Sequence, residues 1–216
     1  MLKIKDRHKP TTKERTWSMA ILFDKQDQVF YLHTKNTTYA IGVLREKYLL
    51  HLYYGKRISA YPDFMAHLPI HAGTTWMGMD LPGLDYSTEA LPMEYPTYGS
   101  ADLRTPAFHA EYETGSAVTC LSYCGYAIYP GKKTLSALPA TYVESESEAD
   151  TLEITLVDSL TGLKIIISYS VFEDYDVITK SVHAVNEGTQ PIDVQSILSS
   201  TTYLFDKNYE FVHLTG

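Results

Sequence analysis

The chain has 216 residues, 44% hydrophobic and 20% charged, with 18 Lys and Arg against 26 Asp and Glu for a net charge of −8. That is the composition of a globular protein long enough for one large domain, or at most two, around a buried core. An acidic body argues against general binding to phosphate backbones, and no apolar run approaches the roughly 20 residues that a membrane-crossing helix needs. Neither nucleic acid nor membrane is predicted as a partner.

The charge is unevenly placed. Residues 1–18 carry six Lys and Arg against two acids, or +4, which leaves −12 on residues 19–216. This leader has no apolar period and lacks the apolar segment of a secretory signal. It reads as a basic tail, disordered or appended to the domain. Strands follow closely. Val29–His33 leads through a polar turn at Thr34–Thr38 to Tyr39–Arg45, where Tyr39, Ile41 and Val43 share a face by the period of two. Glu46-Lys47 connects this to Tyr48–Tyr54, completing an antiparallel meander.

Residues 59–92 break the pattern with Pro62, Pro69, Pro82 and Pro92 and glycines at 73, 78 and 83. A loop of this length in a compact domain is usually functional or disordered. Its content of Tyr61, Phe64, Met65, Trp76, Met77 and Met79 is too apolar for a disordered linker, so a long irregular functional loop is predicted. The run Glu94–Ala107 then carries Pro96 and Pro106, each biasing the residue before it toward extended backbone, and Gly99, which permits a positive φ. Asp102 and Arg104 lie two apart within it, and an internal ion pair is predicted.

Strands resume at Phe108–Glu113, Val118–Tyr123 and Tyr126–Tyr129, bounded by Gly115, Gly125 and Pro130-Gly131. Ser145–Asp150 is an acidic turn. Leu152–Leu156 alternates apolar and polar residues and turns through Asp158–Gly162 into Leu163–Phe172, a hairpin by spacing and composition. Asp176–Val185 is next, with a second hairpin turn at Asn186–Thr189 and a last long strand at Ile192–Leu204. Many strands, regular turns and no amphipathic helix of ten or more residues predict an all-β chain, a large antiparallel β-sandwich. The 18 tyrosines suit half-buried strand faces and sugar contact.

Chemistry is sparse. His67 and His71 are four apart, but Pro69 between them rules out the regular helix that would make them a metal pair, and no metal site is predicted. His33 and His51 sit mid-strand. Cys120 and Cys124 on one extended strand would have Cα atoms about 13 Å apart, beyond the roughly 7 Å a disulfide tolerates, so two free thiols and a cytoplasmic location are predicted. No Gly-rich phosphate loop, nucleophile elbow or Cys/His dyad occurs, and no cofactor is implied. A retaining glycosidase needs two carboxylates about 5 to 5.5 Å apart; among the 26 acids no pair stands out.

Met93-Glu94-Tyr95-Pro96-x-Tyr98-Gly99-x-x-Asp102-x-Arg104-x-Pro106-Ala107 resembles a motif in the N-terminal domain of bacterial α-galactosidases of glycoside hydrolase family 36. Tyr53–Lys56, Leu138–Glu144, Thr151–Ile154, Asp176–Ser181 and His213–Gly216 match as well, six motifs in the family's order. Met19–Asp24 resembles the family's usual beginning, which places the domain at 19–216. The resemblance implies a β-supersandwich that is itself non-catalytic, the nucleophile and the acid/base being aspartates of a TIM barrel that follows. This sequence stops at Gly216, before any such barrel, and reads as a truncation.

The implied work of this domain is to support its own catalytic barrel, to make homo-oligomer contacts (a tetramer in full-length form) and to form one wall of the pocket for an α-galactoside such as melibiose or a raffinose-type sugar. In relatives an acid of the long loop contacts the sugar. Here His71 or Ala72 falls at that place, and Asp63, Asp80 and Asp85 are the nearest acids. The substrate-binding residues implied are His71, Trp76, Asp80 and Asp85, Trp76 either stacking on a pyranose face or anchoring the loop. Two other readings stay open. A free-standing carbohydrate-binding β-sandwich would need an exposed aromatic platform, and an aldose epimerase-like enzyme would need His and Glu to converge in one cleft.

Overall fold

The computed structural model describes residues 20–59, 62–68, 91–99, 104–135, 140–204, 208, 210 and 212–214. Ten strands occur among them: β1 Ile21–Asp24, β2 Val29–His33, β3 Thr37–Leu44, β4 Tyr48–Lys56, β5 Phe108–Tyr112, β6 Ser122–Pro130, β7 Asp150–Asp158, β8 Leu163–Phe172, β9 Val177–Asn186 and β10 Ile192–Ile197. They form two four-stranded antiparallel sheets, β1-β2-β3-β4 and β6-β7-β8-β9, and a ribbon of β5 and β10. Helical structure in the described residues is confined to three single 3-10 turns.

The two sheets enclose one core. From the first come Phe30, Leu32, Ile41, Val43 and Leu49; from the second Leu152, Ile154 and Leu156 of β7 and Ile165, Ile167, Tyr169 and Val171 of β8. The β7 and β8 residues alternate with Glu153, Thr155, Lys164, Ile166 and Ser168, as the period of two requires. The first sheet is buried on its other face too. There Val29, Tyr31, Ala40, Leu50 and Leu52 meet Leu91, flanked by Phe64, Met65, Leu68 and Met93. That double cover explains why all five residues of β2 are buried.

A bulge decides what faces the core near the edge of this sheet. Ala40 pairs with Tyr53 but Ile41 pairs with His51, so Leu52 is an extra residue in β4. Residues three apart on a regular strand face opposite sides; the bulge puts His51 and Tyr54 on one face, with Tyr39.

Two expectations fail. Residues 118–121 are not strand, and Gly125 does not end one: β6 is a single strand whose register shifts between Tyr123 and Gly125. The backbone before it is satisfied elsewhere, Thr119 N donating to Tyr98 O at 3.2 Å and Cys120 N to Asp158 Oδ2 at 2.9 Å. Nor do β9 and β10 make a hairpin. β10 ends at Ile197 and pairs with β5, from Ile192 opposite Tyr112 to Ile197 opposite Phe108. The chain leaves β9 by crossing the β7–β8 turn, where Glu187 N donates to Gly162 O at 2.9 Å. A Cβ on Gly188 would lie 2.1 Å from Thr161 O, so only glycine fits this crossing.

At the same end as the β8–β9 turn, Asp176 ties the sheets together. Its Oδ1 accepts from Thr34 Oγ1 at 2.8 Å and Asn36 N at 2.7 Å, both in the β2–β3 turn.

Candidate functional site

The chain approaches the site along the Met93–Thr97 motif, laid beside β4 by two backbone bonds. His51 N donates to Pro92 O at 2.7 Å and Glu94 N to Leu49 O at 2.9 Å. Gly99 closes the segment with φ +85°, the positive value its sequence permits, and its own Cα side packs against Val118. Glu94 is thereby set at the edge of the first sheet with its side chain between the two sheets, 0% exposed.

Four strands supply its partners. Tyr39 of β3 donates its hydroxyl to Glu94 Oε2 at 2.7 Å and Oε1 at 2.9 Å. Tyr169 of β8 donates to Oε1 at 2.7 Å. Lys180 of β9 donates to Oε1 at 2.7 Å and lies 5.3 Å from the centre of the Tyr169 ring. His51 of β4 brings Nδ1 to 3.7 Å from Oε2 and packs on the Tyr39 ring at 5.0 Å. Burial pushes the Glu94 carboxyl up, but the Lys180 charge and the hydrogen bonds from Lys180 and Tyr169 outweigh it, and the group sits below its ordinary value. Burial first, then the Glu94 charge, push both tyrosines up.

A carboxylate held ionised, with both oxygens engaged, is an ordering centre and no general acid. It cross-links strands of both sheets through charge-assisted hydrogen bonds. His and Glu do converge here, as an epimerase would require. Both are buried, 3% and 0% exposed, so neither can serve as a base to a substrate. Above the cluster opens a cleft of about 200 Å³ lined by Tyr39, Tyr54, Tyr169 and Lys180, with Asp176 and Ser200–Thr202 at its rim.

The residues predicted to bind substrate, His71, Trp76, Asp80 and Asp85, lie outside the described residues, as does Asp102, so the predicted Asp102–Arg104 pair is outside as well. Asp63 is described, and its Oδ1 accepts from Ala66 N at 3.1 Å within a 3-10 turn. His33 is a satisfied core histidine, Nδ1 lying 2.8 Å from Thr38 Oγ1, with burial and then Arg57 lowering its pKa against Glu173. Cys120 and Cys124 are free and exposed. No group of three or more His, Cys, Asp or Glu among the described residues could hold a metal ion. Glu94 and Lys180 both stand inside motifs quoted from the sequence, yet their pairing was not read there. The available signal was Lys180 itself, a cation in the inward row Ile178-x-Lys180-x-Val182, which demands a buried anion.

Residues 47–216 match the family model described as "Glycosyl hydrolase family 36 N-terminal domain". The chain is 35% identical over 198 residues to alpha-galactosidase AgaA of Geobacillus stearothermophilus, covering 92% of this chain and 27% of that protein. It is 35% identical over 201 residues to the bifunctional alpha-galactosidase/sucrose kinase AgaSK of Mediterraneibacter gnavus, covering 92% and 21%. Among solved structures, GH36 alpha-galactosidase AgaB from G. stearothermophilus superposes with a TM-score of 0.77 at 36% identity, over 84% of this chain and 24% of that one. A variant of AgaA in complex with raffinose gives 0.74 at 38% identity, over 80% and 24%. The chain thus spans about a quarter of the length of these relatives.

Proposed function

The chain belongs to glycosyl hydrolase family 36, as its N-terminal domain, and on that premise we propose that it is the non-catalytic domain of a retaining α-galactosidase hydrolysing terminal α-galactosides such as melibiose and raffinose-type sugars. The observation that carries this reading is the match to α-galactosidases over 92% of the chain; the AgaA variant holding raffinose supports the sugar class. The domain spans 19–216, with the basic leader outside it. Its role is mechanical. Two sheets pinned together at Glu94 and Asp176 make a stiff platform for a catalytic barrel and for contacts between subunits of a tetramer. The segment 59–92 contributes a wall of the sugar pocket through His71, Trp76, Asp80 and Asp85, and the enzyme works in the cytoplasm.

The test is turnover of an aryl α-galactoside by the 216-residue chain and by the complete polypeptide carrying this domain. Turnover is expected from the complete polypeptide alone. Turnover by a homogeneous 216-residue chain, abolished by a substitution within 19–216, overturns the reading. In the complete enzyme, Asp80→Ala or Asp85→Ala should lower kcat/KM roughly ten- to a hundredfold, since a charge-assisted hydrogen bond to a sugar hydroxyl contributes about 1.5 to 3 kcal/mol. A change below twofold for both removes these acids from the pocket wall.

A further inference from the structure

We propose that the cleft above the Glu94 cluster is a binding site for a single neutral hexopyranose, separate from any site formed by the segment 59–92. Its size comes first. About 200 Å³ is room for a ligand of one sugar ring.

Charge comes next. Among the described residues the one cation lining the cleft, Lys180, is held at 2.7 Å by Glu94, which neutralises it. The one anion among the described residues that line it, Asp176, has both carboxylate oxygens engaged by Thr34 and Asn36. An anionic ligand would meet a compensated ammonium beside a carboxylate, and a cationic one would meet the ammonium. A neutral ligand meets neither penalty.

The lining then supplies what a polyol uses. Beyond Glu94 Oε1, the Lys180 ammonium meets the Glu94 carbonyl at 3.5 Å, which leaves one of its three N–H donors to serve a ligand. Tyr39 gives its proton to Glu94, which fixes its oxygen as an acceptor. Thr201 and its neighbours add rotatable hydroxyls. The apolar face of a pyranose needs an aromatic ring, and Tyr54 provides one. It is 50% exposed, lines the cleft and stands at 59° to Tyr39 with ring centres 5.8 Å apart. The β4 bulge is what turns Tyr54 to this side. The cluster beneath fixes these groups before a ligand arrives, so little ordering remains to oppose binding.

The 216-residue chain titrated with D-galactose and D-glucose, followed by ligand-observed saturation-transfer NMR and protein chemical shifts, tests this, with galactonate as the charged comparison. Saturable binding of a neutral hexose on the order of millimolar is expected, weaker for galactonate. Tyr54→Ala should weaken it tenfold or more and Tyr54→Trp retain it. Thr201→Val, on an exposed segment, should weaken it several-fold and serves if Tyr54→Ala does not fold. The proposal is overturned if no saturable binding occurs, if galactonate binds more tightly, or if Tyr54→Ala and Thr201→Val leave binding unchanged. Binding lost on Trp76→Ala and kept in the cleft variants would place the sugar on the segment 59–92 and refute the cleft.

Discussion

Replacing Lys180 by Met is the most informative single perturbation, because its effect has both a size and a dependence on pH. Met keeps much of the stem of the side chain, so packing against Tyr169 changes little, but Glu94 is left fully buried without its cation. Breaking a buried pair in this way costs about 3 to 5 kcal/mol. Against a total of about 5 to 15 kcal/mol for a domain, that is a fifth or more of the stability. For a chain of this length it lowers Tm by about 6 to 20 °C. The pH dependence follows from the direction of the Glu94 shift. In the wild type its folded value lies below the ordinary 4.5, so the stability it lends is complete above pH 4.5 and is lost as pH falls through the lower folded value. In Lys180→Met the principal opposing charge is gone and burial drives the group up. Protonation then relieves the buried charge, so the difference between the two proteins is largest above the variant's raised value and shrinks as pH falls from there through the lower wild-type value. Urea unfolding of both proteins from pH 3.5 to 7.5 measures this. A difference under 1 kcal/mol at pH 7, or one that does not change with pH, would refute the assignment of Glu94–Lys180 as the central ion pair.

Glycine 188 offers a backbone test: Gly188→Ala forces a Cβ onto Thr161 O and should cost about 1 to 3 kcal/mol by overpacking, whereas Gly125→Ala, with no atom within 4 Å, should stay within about 1 kcal/mol; equal urea midpoints for the two would contradict the crossing. Ile165→Ala, fully buried between the sheets, should cost about 2 to 5 kcal/mol, against no more than about 0.5 kcal/mol for Leu160→Ala at an 89% exposed turn. Ellman's reagent should titrate two thiols in the native protein, Cys120 and Cys124; a mass lower by two hydrogens with no free thiol would show a disulfide instead.

Much of the sandwich is visible in the sequence, because burial on one face writes a period of two. Leu152–Leu156 and the hairpin into Leu163–Phe172 match β7 and β8, and Val29–His33 matches β2 in both its limits. The misses share a cause. Gly125 and Asn186–Thr189 are turn-forming by composition, and composition cannot tell a turn from a bulge or a crossing. At Gly125 the neighbour β7 simply continues, so β6 absorbs the glycine with a register shift. After Asn186 the partner of β10 is β5, some 80 residues earlier in the chain, a pairing no local pattern records.

The Glu94 cluster was hidden for a different reason. Its five members come from five separate segments, and each taken alone has an ordinary explanation. Tyr39, His51 and Tyr169 are unremarkable on half-buried strands, and Glu94 looks like one polar residue in a turn between prolines. Only Lys180 breaks its own local rule, an ammonium in a row whose neighbours Ile178 and Val182 pack on the core. A buried cation of that kind requires an anion within hydrogen-bonding reach, and Glu94, whose neighbours Met93 and Tyr95 are themselves drawn into apolar clusters, supplies it. The β4 bulge supplies the last element: without the extra Leu52, His51 and Tyr54 could not both face Tyr39. Register set by a single inserted residue is a tertiary fact, and with it comes the exposed Tyr54 ring on which the sugar cleft depends.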